Sequence, residues 1–293
     1  MALSQRLRDI LSRVINKLMK KPKKSTIQLF HNDNPNWEKS PLEPIGSGVL
    51  LELEGYYFII TAAHVVQDYA LKKSRNPYRN EDDYDDPAEA YLNLNNVGFL
   101  HNLSFYPIQR VVFTNTERGP IENNVDLAVL TLERESAVEL KQKFKFLSLS
   151  DILLDHDIKP VNRYYIYGYP AEWTDLDKDK GLIRTEPFQF VTKGMPIDEI
   201  SPVKFDSRFN LLVSYDKGKM VFTSNGEALR DFSPKGISGC GLWFYGGGPD
   251  VKLIGIMIED KWIKERQPLM MATRINEAIK IIYSHIIKPI TYQ

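Results

Sequence analysis

Cysteine is all but absent: Cys240 stands alone among 293 residues. One thiol cannot form an intramolecular disulfide, so the chain must fold by burial and hydrogen bonding, and a reducing, cytoplasmic setting is expected. There is no CxxC pair and no glycine-rich phosphate loop, so neither a metal nor a nucleotide cofactor is expected. His31, His101, His156 and His285 show no metal-ligand spacing and read as structural or surface residues. Long apolar stretches are missing too. No run of 18 apolar residues exists, which argues against a membrane-spanning helix. A signal peptide needs an uncharged apolar stretch, and Arg6, Arg8, Asp9, Arg13 and Lys17 interrupt every candidate. Net charge is lacking as well. The 38 basic and 38 acidic residues cancel, so the whole protein is no polyelectrolyte binder.

What remains is a globular composition, with 43% hydrophobic residues and no sign of wholesale disorder. The charge is uneven: residues 1–24 hold eight Lys/Arg against one Asp, and residues 81–89 hold six Asp/Glu. Residues 2–20 predict an amphipathic helix, because Leu3, Leu7, Ile10, Leu11, Val14, Ile15, Leu18 and Met19 recur at steps of three and four. Its basic face runs into Lys20-Lys21-Pro22-Lys23-Lys24, where the proline is expected to end the helix.

From about residue 26 the pattern changes to short strands. Val49 through Ile60 predicts a hairpin turning at Glu54-Gly55, and Asp126 through Leu132 a largely buried strand. Further strands are expected at 163–168, 187–191, 210–214, 241–244 and 252–258. The polar, proline-marked stretch 71–90 reads as a surface loop. Residues 273–286 return to helical spacing. Many short strands with one closing helix fit an all-β chain of two antiparallel barrels. The expected units are a basic helix over 1–25, barrel one over 26–145, barrel two over 146–272 and a C-terminal helix over 273–288, within one unit over 26–293.

Three segments carry the chemistry. Tyr57-Phe-Ile-Ile-Thr-Ala-Ala-His64-Val-Val brings an apolar strand into a small-residue turn ending on a histidine. Asn124-Val-Asp126-Leu-Ala-Val-Leu places a carboxylate at a strand start, and Lys235-Gly-Ile-Ser238-Gly-Cys-Gly241 places a serine between glycines. A serine hydroxyl is a poor nucleophile until a neighbour takes its proton. Histidine suits that task because it titrates near neutrality, and a carboxylate can hold its tautomer.

That order of His, Asp and Ser, with these flanking residues, resembles the trypsin-like (chymotrypsin-fold) serine peptidases over roughly residues 26–288. Gly46-Ser-Gly48, Gly168-Tyr-Pro170 and Gly255-Ile-Met-Ile add to the likeness. The resemblance implies two six-stranded antiparallel β-barrels with a cleft between them, and His64, Asp126 and Ser238 as base, orienting carboxylate and nucleophile. It implies that the N–H groups of Gly236 and Ser238 form the oxyanion hole, such donors contributing about 3–4 kcal/mol each. It places Phe232 at the base of the primary specificity pocket, where it cannot select Arg or Lys. Ile258-Glu259-Asp260 becomes the edge that pairs with a protein or peptide substrate.

The chain also departs from the family. Secreted relatives carry several disulfides. Ile237 stands where zymogen-derived relatives use an aspartate to capture a new N-terminus, so that activation route is not expected. Cys240 lies two residues beyond the position where viral relatives place a nucleophilic cysteine, and it reads as a small buried filler. Latent members of this fold carry every catalytic residue and hold the nucleophile loop collapsed.

The expectation is a compact intracellular serine endopeptidase without room for a PDZ-type module. The rival is a lapsed protease-fold protein that binds a peptide or partner. An esterase would set its Gly-x-Ser-x-Gly elbow in an α/β sheet that this strand pattern does not offer. For residues 2–24 three readings stay open: packing on the barrels, docking onto another protein, or adsorption to an anionic membrane surface. The absence of Trp and Phe anchors counts against the last. Nucleic-acid binding is not expected, because no aromatics interleave the charges.

Overall fold

The apolar runs Val49-Leu50-Leu51 and Phe58-Ile59-Ile60 do not alternate with polar residues, so both faces of their strands must be covered. A computed structural model shows how. It describes residues 13–32, 42–67, 97–101, 104–108, 110–113, 125–170, 173–177, 182–195, 205–215, 221–222, 228–229, 237–247, 250–262 and 268–288. Strands β2 (Glu43–Leu53) and β3 (Tyr56–Thr61) form the expected hairpin. Glu54 and Gly55 take the two positive φ values, 50° and 81°, that a two-residue turn of this hand needs. Leu50 and Ile59 face one buried cluster, whereas Val49, Leu51, Phe58 and Ile60 face another.

The hairpin lies inside a seven-stranded antiparallel sheet of order β5-β4-β1-β2-β3-β7-β6. The others are β1 (Thr26–His31), β4 (Val97–His101), β5 (Ser104–Pro107), β6 (Arg110–Phe113) and β7 (Ala128–Leu132). The second sheet has the order β12-β17-β16-β15-β8-β11-β13-β14. Its strands are β8 (Arg163–Gly168), β11 (Phe188–Lys193), β12 (Asn210–Ser214), β13 (Val221–Phe222), β14 (Ala228–Leu229), β15 (Gly241–Phe244), β16 (Lys252–Trp262) and β17 (Pro268–Arg274). A separate hairpin joins β9 (Thr174–Asp177) to β10 (Leu182–Thr185). Two antiparallel barrel-like sheets with helices at both ends make the chymotrypsin-like double barrel.

The two sheets are stitched together. Leu147 and Ile152, in the connection after helix α2 (Arg134–Lys141), bridge to Leu51 of β2 and Leu253 of β16. One buried cluster contains Leu51 and Phe58 from the first sheet with Tyr165, Trp243 and Leu253 from the second. The closing helix α3 (Ile275–Ile281) adds Ile275, Ala278 and Ile279 to it, then widens to π-type turns over Ile282–Ile287. β17 runs to Arg274, so the strand holds the first residues of the span expected to be helical.

Pro22 does not end the N-terminal helix. Helical residues 13–18 lead through Met19 into α1 (Lys20–Ser25), where Pro22 is the third residue. Pro22 has no N–H to donate, but the bonds on either side, Met19 N–H to Ile15 O at 2.8 Å and Lys23 N–H to Met19 O at 2.9 Å, carry the helix past it. Leu18 and Met19 are buried in the cluster with Trp243. Lys21 turns inward, its Nζ 2.8 Å from Asp151 and 3.2 Å from Asp250. Asp151 also accepts the Ser148 N–H at 3.1 Å and lies 3.6 Å from Lys145. Residues 2–12 and the 71–90 loop, with its acidic stretch 81–89, lie outside the described residues.

Burial opposes the Asp151 charge, but Lys21, the Ser148 N–H and Lys145 outweigh it and lower the carboxyl from 3.8 to about 2. A depressed folded-state pKa stabilises above the unfolded value near 3.8, and the contribution disappears as pH falls through about 2. Asp151→Asn is therefore expected to cost about 2 kcal/mol at neutral pH, after allowance for solvent at the pair. The difference from wild type should close between pH 4 and pH 2, which urea unfolding across that range measures.

Candidate active site

Strand pairing brings two of the expected residues together. β3 and β7 are antiparallel, with Thr61 opposite Ala128. The end of β3 therefore lies beside the start of β7, and His64, three residues past Thr61, meets Asp126, two residues before Ala128. Ala62 and Ala63 are buried, and their small size lets the chain turn at once into a helical turn over 63–67 that carries His64.

Asp126 holds the histidine at two points. One carboxylate oxygen accepts the His64 backbone N–H at 3.0 Å, and the other faces Nδ1 at 2.5 Å. A carboxylate only accepts, so the ring proton belongs on Nδ1 and Nε2 keeps its lone pair. The His64 side chain is 42% exposed and that of Asp126 18%, so the carboxylate is the more shielded of the pair.

Ser238 lies across the junction of the sheets, in the turn leading into β15. Its carbonyl accepts the N–H of Ser47 from β2 at 3.3 Å. Gly239 N–H donates to Met257 O at 2.8 Å and Met257 N–H to Cys240 O at 2.8 Å, so the turn is fastened to both sheets. The hydroxyl, however, points elsewhere. It donates to the Ile258 carbonyl at 3.4 Å, and no triad geometry joins it to His64.

Ser47 was not singled out by its hydroxyl, and the structure gives it a clear part. Its Oγ accepts the Tyr169 N–H at 2.7 Å, while its carbonyl accepts the Thr61 hydroxyl at 2.7 Å. One residue of the first sheet thus braces the Ser238 turn, β3 and the segment after β8. The only sequence signal was its place in Gly46-Ser-Gly48. Cys240 packs behind this brace, fully buried, with Sγ 3.6 Å from Ser47 Oγ. Burial pushes its thiol up to about 12, so it stays protonated and serves as filler. Ile237 is buried in an apolar cluster, where no ion pair forms.

The other expected site residues divide. Ile258 is buried at a bulge between Met257 and Glu259 in the β16–β17 pairing. β15 starts at Gly241, opposite Ile256, so among the described residues no strand covers that edge of β16 beyond Met257. Glu259 and Asp260 continue β16, and their side chains lie outside the described set. Gly236 and Phe232 fall outside the described residues. No group of three His, Cys, Asp or Glu among the described residues is placed to hold a metal ion. No described helix is long and apolar enough to cross a membrane.

No protein-family model and no curated protein matches this chain. Among solved structures it is similar to a thermostable serine protease, AL20, from an extremophilic microorganism. The two share 12% identity at a TM-score of 0.45, over 88% of this chain and 94% of that one. At that identity the likeness concerns the fold alone.

Proposed function

We propose that this chain is a peptide-binding, serine-peptidase-type protein whose cleft is built for hydrolysis and rests with its nucleophile disengaged. The observation that carries the reading is the double anchoring of His64 by Asp126, which in the neutral imidazole puts the ring proton on Nδ1. A histidine in a merely structural role needs no carboxylate on both its backbone and its ring.

A peptide laid along the edge of β16 beyond Met257, which no described strand covers, offers its N–H groups to the strand's carbonyls. Ile258 O is one of these, and it now holds the Ser238 hydroxyl. A substrate N–H competing for that carbonyl releases the hydroxyl to turn towards His64. Ser238 Oγ then attacks the scissile carbonyl carbon as its proton passes to His64 Nε2. Gly236 and Ser238 N–H groups stabilise the oxyanion, and His64 returns the proton to the leaving amine. Water then hydrolyses the acyl-enzyme with His64 as base. Phe232 closes the specificity pocket, and Glu259 and Asp260 extend the peptide-binding edge. In this reading residues 26–293 form the peptidase unit and 1–25 its appendage. The lone buried thiol suits a reducing compartment such as the cytoplasm.

A second reading is a binding module on the same scaffold without turnover. The resting position of Ser238 favours it, and taken alone fits it better than the first, since a hydroxyl not bonded to its base is a weak nucleophile. A fluorophosphonate probe separates the two. Labelling of wild type, alone or with peptide mixtures, that disappears in Ser238→Ala supports hydrolysis. Peptide binding retained in Ser238→Ala with no labelling of folded wild type under any condition establishes the binding module.

A further inference from the structure

The basic N-terminal segment becomes a different object once folded. Arg13, Lys17, Lys20 and Lys24 are spaced by four, three and four residues and are all exposed. The helix is continuous across Met19, whose N–H donates to Ile15 O at 2.8 Å and whose carbonyl accepts from Lys23 at 2.9 Å. These four cations therefore form one stripe, about 16 Å long. Leu18, Met19, Pro22 and Ser25 occupy the opposite, buried face.

The stripe does not stop at the helix end. The Lys24 carbonyl accepts the Lys145 N–H at 2.7 Å, and Lys24 Nζ donates to Lys143 O at 3.4 Å. Lys143 and Lys145, both exposed, thus continue the line from a segment far away in sequence. Asp151 and Asp250 are the acids that pair with these lysines among the described residues, and Asp151 is shared between Lys21 and Lys145. The rim carries exposed aliphatics: Val14 is 50% exposed and Leu149, two residues from Asp151, 44%.

We propose that this face docks onto an anionic lipid bilayer. Among the described residues the helix spends Leu18, Met19 and Pro22 on the protein's own core, so a partner helix or groove meets single exposed aliphatics rather than a continuous apolar face. Five of the six cations are lysines, compact point charges on flexible stems rather than the planar forks that read single phosphates. They lie in a line and do not converge on a pocket. Phe144, between Lys143 and Lys145, packs into the first-sheet core and leaves no aromatic for base stacking. A surface of continuous negative charge, tolerant of spacing, matches this arrangement. Each lysine near such a surface strengthens adsorption by roughly fivefold. The inference does not depend on the chemistry of the cleft.

The test is sedimentation of the full chain with phosphatidylcholine vesicles, with and without phosphatidylserine, at low and physiological salt. Binding should require phosphatidylserine, weaken with salt, and fall about 100-fold in Lys17→Gln/Lys20→Gln/Lys24→Gln. The same triple change to Arg should keep it. Lys143→Gln, on a different element, should weaken it about fivefold and serves should the triple variant prove unstable by thermal denaturation. Equal binding to neutral vesicles, binding unchanged by these substitutions, or tighter binding to duplex DNA or polyglutamate than to phosphatidylserine vesicles would each overturn the proposal.

Discussion

Gly239→Ala is expected to destabilise the protein by at least about 4 kcal/mol, enough to unfold a marginally stable domain. A Cβ built on Gly239 would lie 1.9 Å from the Ser47 carbonyl oxygen and 2.5 Å from Thr61 Oγ1. Neither neighbour can yield cheaply. The first is backbone of β2, inside the first sheet, and the second is the hydroxyl already bonded to that same carbonyl at 2.7 Å. Gly239 also sits at φ +83°, a region that side chains resist. Gly55 supplies the control, because it has φ +81° and nothing within 4 Å of its added Cβ. Gly55→Ala should therefore cost only the conformational part, about 1–2 kcal/mol. Urea unfolding of both variants separates crowding from backbone strain. Similar midpoints for the two would mean that the Ser238–Gly239 turn is not wedged against β2.

That close approach marks the limit of what the sequence could tell. The hairpin at Glu54-Gly55 was legible because a turn residue stood between two apolar runs. Strands 163–168, 210–214 and 241–244 match residue for residue, since their apolar content had no competing helical period. β17 was not seen: it opens on Pro268 and flows into a helix whose spacing masks it. Helix α2 was not seen either, because only Ala137 and Leu140 are buried and no side chain caps its start. At the site, the meeting of His64 with Asp126 was legible, since their motifs sit at the facing ends of two strands. The direction of the Ser238 hydroxyl was not. It depends on a rotation about one side-chain bond and on a carbonyl twenty residues away. The Ser47 brace and the lysines that extend the N-terminal stripe are likewise tertiary facts, each joining segments more than a hundred residues apart.

Asp126→Asn is expected to lower Ser238 labelling and any peptide hydrolysis by roughly 10⁴-fold while leaving the fold in place. The argument rests on which atoms can donate. The His64 backbone N–H is a donor in every protonation state, and it faces one Asp126 oxygen at 3.0 Å. In the asparagine variant the amide oxygen must take that position, because the alternative sets two donors against each other. The amide NH₂ is then aimed at Nδ1, where the carboxylate now lies at 2.5 Å. Nδ1 must accept, so the ring proton moves to Nε2, the nitrogen that should receive the serine proton. In the proposed hydrolysis His64 keeps its place beside Asp126, but in the wrong tautomer to accept the serine proton. Nitrogen NMR of the His64 ring reads the tautomer without turnover, and the labelling rate reads its consequence. A tautomer shift without loss of labelling would remove His64 from the reaction. Loss of both together would tie any hydrolysis in this cleft to the histidine that Asp126 holds.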